Sequence, residues 1–127
     1  MSQILTLTFM SGSRDGEVVR LATAGSPPSV SVGRTAPCEL VLSDDPDLSR
    51  RHARIFWSDS SWMLQDLDSS NGTFIGEFQG TRRLSGTRAL QDGELFRVGL
   101  TRLRLGDGKS EQVVTAAAAA IAKAKRS

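Results

Sequence analysis

Cysteine is almost absent from these 127 residues. Cys38 stands alone, so no intramolecular disulfide can form and no second thiolate exists for a cysteine-based zinc site. That usage points to a reducing, cytoplasmic location. Long apolar runs are missing too: nowhere do 18 consecutive apolar residues occur, and the first twenty residues lack a basic segment followed by an apolar one. Secretion and membrane spanning are therefore not expected. Histidine is reduced to His52, and no thiol, carboxylate cluster or nucleophile accompanies it at a recognisable spacing, which leaves a catalytic or metal-binding role without partners. Charge of one sign is also scarce. The formal net charge is +2, and Lys109, Lys123, Lys125 and Arg126 against Asp107 and Glu111 account for all of it. The first 106 residues are neutral, without the broad basic footprint of a duplex-binding domain, although Arg50, Arg51 and Arg54 cluster locally. Nucleic acid is not expected as a partner.

What is present is an ordinary globular composition, 39% hydrophobic and 24% charged, on a length that suits one domain with a tail. Ile4 to Phe9 alternates apolar and hydroxyl side chains with the period of a half-buried strand. A glycine-rich turn from Ser11 to Gly16 then leads into Glu17 to Leu21, which can return as a hairpin. Further short strands are expected at Val30 to Val32, Glu39 to Leu42, His52 to Trp57, Trp62 to Leu67, Thr73 to Ile75, Arg88 to Leu90, Glu94 to Val98 and Arg102 to Leu105. Regular short strands punctuated by turns read as a sandwich or barrel. Ser58 to Ser61 forms a hairpin turn between Trp57 and Trp62, whose rings belong in the core rather than on a ligand. Residues 113 to 125 break the rhythm with an alanine run of high helix propensity but almost no anchoring side chain.

Three segments place polar or glycine residues where a strand domain needs only a turn: Gly33-Arg34, Ser49-Arg50-Arg51-His52 and Ser70-Asn71-Gly72-Thr73. Each alone is weak evidence. In this order, separated by strand-like runs and followed by Leu90-Gln91-Asp92-Gly93-Glu94 and Val98-Gly99, they resemble the signature of the forkhead-associated (FHA) domain family over residues 4 to 105. The resemblance implies an all-β fold, an eleven-stranded antiparallel β-sandwich, over residues 1 to 106, with residues 107 to 127 as an Ala/Lys-rich tail or linker. It also implies a function: docking onto phosphothreonine in a partner protein, such as the substrate of a Ser/Thr kinase, without catalysis, cofactor or metal.

The same resemblance distributes roles over the three segments. Arg34 would aim its guanidinium at the phosphate, where a planar fork can donate to two oxygens. Ser49, Arg50 and Ser70 would complete the shell around the remaining acceptors, and Asn71 would bond the ligand's backbone. Gly33, His52, Gly72 and Thr73 would hold the loops, the histidine by bonding from behind them. Read without the family, Arg34 and Arg50 are solvated arginines, Ser49 is a turn residue, and Ser70-Asn71-Gly72 is a suitable tight turn. Arg51 is assigned at most to acidic residues of a partner, and Asp66 and Asp68 to shaping their loop.

One departure stands out. Many family members carry a second asparagine shortly after Asn-Gly-Thr, whereas this chain continues Phe74-Ile75-Gly76-Glu77-Phe78-Gln79-Gly80, so residues 76 to 86 give no firm strand assignment. Three rival readings remain open: a phosphate-independent assembly module on the same sandwich, a phosphatase, and a nucleic-acid or membrane role for the cationic tail. The phosphatase reading lacks a Cys-Arg nucleophile loop.

Overall fold

A computed structural model describes residues 4–23, 25–76 and 82–106. The expected alanine-rich tail lies outside the described residues. Eleven strands follow in order: β1 (Ile4–Phe9), β2 (Val18–Ala22), β3 (Ser29–Gly33), β4 (Leu40–Val41), β5 (Ala53–Ser58), β6 (Ser61–Asp66), β7 (Thr73–Ile75), β8 (Arg82–Arg83), β9 (Thr87–Leu90), β10 (Leu95–Val98) and β11 (Thr101–Leu105). They form a six-stranded sheet in the order β2-β1-β11-β10-β7-β8 and a five-stranded sheet in the order β4-β3-β5-β6-β9.

Period-two alternation decides which side chains lie between the sheets. Leu5, Leu7 and Phe9 of β1 point inward and meet Val30, Val32, Ile55 and Leu64 from the opposite sheet, with Phe96, Val98, Leu103 and Leu105 completing the core. The β5–β6 hairpin forms as expected. Asp59 and Ser60 both take positive φ (54° and 62°), the geometry of a two-residue turn whose twist matches the strands. Across it Trp57 pairs with Trp62, the rings edge-to-face at 5.1 Å, and both pack on the core.

Two details correct the expected map. The sandwich is not wholly antiparallel, because β4 pairs with β3 in parallel: residues 34 to 39 carry the chain back to the start of that edge. β8 was not foreseen, since Arg82-Arg83 has no alternation and is an exposed edge held against Phe74 and Ile75. Among the described residues no helix is long and apolar enough to cross a membrane.

The registers bring the informative loops to one end. β3 ends at Gly33, while Val32 faces Ala53 at the start of β5, and Ala53 faces Asp66 at the end of β6. In the other sheet Thr73, which opens β7, faces Val98, which closes β10. The β3–β4, β4–β5, β6–β7 and β10–β11 connections thus share one rim.

Candidate functional site

The rim is built on close backbone approach. The Arg34 amide donates to both the Ser49 and Arg50 carbonyls, each at 3.1 Å, and the Leu42 amide donates to the Gly33 carbonyl at 2.9 Å. A Cβ on Gly33 would stand 2.0 Å from the Arg50 carbonyl oxygen and 2.7 Å from the Cys38 sulfur, so no side chain fits there. The Cys38 thiol donates to that same Arg50 carbonyl at 3.3 Å. Gly33 is therefore the contact that sets the β4–β5 loop against the end of β3.

His52 joins the second loop to the third. It is fully buried; its Nδ1 accepts the Ser49 amide at 3.0 Å, and its Nε2 lies 2.9 Å from the Gly72 carbonyl. A nitrogen that accepts an N–H carries no proton, and the one facing a carbonyl must donate, so the neutral Nε2–H tautomer satisfies both partners. The Ser70 amide donates to Ser49 Oγ at 3.0 Å, and Asn71 Nδ2 donates to the Asp47 carbonyl at 2.8 Å. These bonds place Ser49, Ser70 and Asn71 together.

Asp66 shapes the third loop from inside. Its carboxylate accepts from Ser69 Oγ (2.5 Å), Thr73 Oγ1 (2.7 Å) and the Ser69 amide (3.1 Å), while the Gly72 amide donates to Ser69 Oγ at 3.0 Å. Burial pushes the Asp66 carboxyl upward, but the donors from Ser69 and Thr73 outweigh it and hold its pKa below the ordinary value. Gly72 has φ +86°, in the region that glycine adopts without strain.

What faces outward is a set of donors. Arg34 is half-buried, and its Nε is buried without any hydrogen-bond partner among the described residues. Ser49 Oγ, having accepted the Ser70 amide, keeps its own O–H to give. Arg50, Ser70 and Asn71 are exposed, and Asn71 retains its carbonyl and second amide hydrogen. Glu39, whose carboxylate accepts the Ser31 amide (2.7 Å) and Ser31 hydroxyl (2.8 Å), has its pKa lowered first by that amide; Arg51 adds a smaller attraction. Thr73 is buried and donates to Asp66, whereas Asp68 is exposed with φ 56°.

Two residues of this rim escaped the sequence reading. Asp45 is buried and accepts the Leu100 amide (2.9 Å), the Thr101 hydroxyl (2.7 Å) and the Asp47 amide (3.0 Å), tying the β4–β5 loop to the β10–β11 turn. The i to i+2 bond is an Asx-turn, a signal available in Asp45-Pro46-Asp47. Arg83 reaches the third loop, its Nε 2.8 Å from where a Gly72 Cβ would sit. No local pattern announces that contact.

The model of the FHA domain family matches residues 30–99. FhaB of Mycobacterium tuberculosis, an FHA domain-containing protein, is 36% identical over 76 residues, which span 60% of this chain and 46% of FhaB. The matches take in less than half of the first two curated relatives, 18% of one and 46% of the other. A solved domain from a structural and functional analysis of phosphothreonine-dependent FHA domain interactions superposes with a TM-score of 0.63 at 27% identity, covering 81% of this chain and 95% of that one. The FhaA FHA domain, complexed with the intracellular domain of Rv3910, gives the same TM-score and identity over 80% of this chain and 99% of its own.

Proposed function

Because the family model spans more than half of it, the chain belongs to the FHA domain family, and we propose that it is a non-enzymatic module that docks onto phosphothreonine in a partner protein. The carrying observation is Arg34: a backbone fixed by two carbonyls, and a guanidinium with a buried nitrogen that no acceptor among the described residues satisfies. A phosphate supplies acceptor oxygens and about −1.5 to −2 charges at pH 7. Arg34 and Arg50 offset that charge, the Ser49 and Ser70 hydroxyls donate to it, and Asn71 bonds the adjoining peptide backbone. Binding alone is required, and no bond is broken.

Threonine is favoured over serine when its extra methyl is buried, an increment of roughly 0.8 kcal/mol. The partner fits the substrate of a Ser/Thr kinase, and the free thiol of Cys38 fits a reducing cytoplasm. The deciding experiment is calorimetric titration with matched peptides carrying phosphothreonine, phosphoserine or threonine, with phosphate release followed in parallel. Selective phosphothreonine binding without phosphate release is expected. Equal affinity for all three peptides leaves only the phosphate-independent module, and released phosphate returns the enzyme reading.

A further inference from the structure

The strands of the six-stranded sheet carry Arg20, Arg82, Arg83, Arg97, Arg102 and Arg104 and not one Asp or Glu. In a body that is neutral over its first 106 residues, five of these six share the outer face, Arg82 being paired with the core residue Ile75 on the other. Residues paired across antiparallel strands share a side of the sheet. Arg83 pairs with Phe74, Phe74 with Arg97, and Arg97 with Arg102, so these four form one row on the outer face. Arg104 stands beside that row, opposite Leu95 and Thr8, and Arg20 lies further out opposite Thr6. Like charges placed directly opposite one another, as Arg97 and Arg102 are, weaken a sheet.

Local partners absorb only part of this charge. Arg20 and Arg102 are engaged within the chain. Arg97 stacks on the Phe74 ring at 4.3 Å and gives one nitrogen to the Gly99 carbonyl at 2.6 Å, which leaves its other nitrogens without a hydrogen bond to a described residue. The Arg83 side chain has no hydrogen bond or ion pair with a described residue, and the Nε of Arg104 is buried without an acceptor among them. The row also begins at the recognition rim, because Arg83 lies against Gly72, one residue beyond Asn71.

We propose that this outer face, through Arg83, Arg97 and Arg104, binds an acidic segment of the same partner polypeptide that presents the phosphothreonine. The inference rests on the phosphothreonine reading for its anchor. Carboxylates match guanidinium forks in paired hydrogen bonds, and the partner's chain is already held beside Asn71 when it meets Arg83. Strands spaced about 4.8 Å apart put Arg102 roughly 14 Å from Arg83, a distance that about four or five extended residues cover. The face lies within a body without wider basic character, which favours a short acidic peptide over a duplex or a membrane.

The test uses the full chain and four peptides: a short phosphothreonine peptide, the same peptide extended by Glu residues on its amino side, the same extended on its carboxyl side, and the carboxyl-extended one with unmodified threonine. One extension is expected to tighten binding by about tenfold at low salt, the cumulative effect of a few partly exposed ion pairs, and to lose most of that gain when salt is raised. The Arg97→Gln/Arg104→Gln double variant should remove the gain while binding the short phosphopeptide within twofold of the parent; Arg83→Gln, at the rim itself, should remove the gain of the extended over the short peptide whatever its effect on the short one. Thermal melts establish that each variant is folded; one that is not is replaced by the other. No gain from either extension, or a gain that survives in both variants, overturns the proposal. Tighter binding of a single-stranded oligonucleotide or of anionic vesicles, lost in the same variants, assigns the face to that ligand instead. If the short phosphopeptide does not bind while the acidic extension still does, through these arginines, the phosphothreonine reading fails and the acidic face stands alone.

Discussion

Arg34 combines a pinned main chain with an unpaired side-chain nitrogen, so the two can be separated by substitution. Arg34→Ala keeps the amide bonds to the Ser49 and Arg50 carbonyls, and the fold should survive. Phosphopeptide binding should weaken by about 2–5 kcal/mol, the scale for truncating one member of a hydrogen-bonded charge pair. Arg34→Lys restores the charge without the fork and should recover only part of the loss. Calorimetry beside thermal melts checks both; full affinity in a folded Arg34→Ala would move the anchor elsewhere. The identities of Arg34, Ser49, Arg50, Ser70 and Asn71 were legible as a spaced pattern, but their hydrogen bonds were not. That Ser49 accepts the Ser70 amide and Asn71 donates to Asp47 depends on loops 21 and 24 residues apart in sequence meeting at one rim.

At the scale of strands and loops, the alternating runs were legible because burial of one face imposes period two, and β1, β5 and β6 follow it closely. β4 and β8 have two residues each, too few to show a period, so the parallel pairing of one and the existence of the other come from tertiary contacts. Gly33 marks the tightest junction between elements. Gly33→Ala would drive a methyl into the Arg50 carbonyl, and overpacking of this kind costs roughly 1–3 kcal/mol or more. Both the urea midpoint and phosphopeptide affinity should fall, whereas a neutral result would mean that the β4–β5 loop adapts. Asp66 governs the β6–β7 loop differently, through titration. Its folded pKa lies below its ordinary 3.8, so the stability it supplies is complete above that value and is lost as pH falls through the folded value. Urea melts between about pH 7 and pH 2 should show an acid-side loss that is shallower in Asp66→Asn, a variant already weaker at neutral pH. Identical pH slopes would remove Asp66 as the source.

For the whole molecule, the way the last strand closes the sandwich supports a proposed domain boundary at residue 106. β11 lies between β1 and β10, and the Gly106 amide still donates to the Thr6 carbonyl at 2.8 Å, so the chain is held through residue 106. The Thr8 hydroxyl adds a bond to the Gly106 carbonyl at 2.7 Å. Among the described residues, every core side chain lies between Leu5 and Leu105. We propose a domain at residues 1 to 106, with residues 107 to 127, whose four cations and two carboxylates carry the net charge of +2, outside it. Removing residues 107 to 127 should leave the melting midpoint and the affinity for a short phosphopeptide unchanged, because surface changes away from core and site usually stay within about 0.5 kcal/mol. The same truncation brings the formal charge to zero and should lower solubility near neutral pH. A loss of several degrees in the melt, or of phosphopeptide affinity, would show that the tail packs on the sandwich or reaches the rim, and the boundary would have to move beyond residue 106.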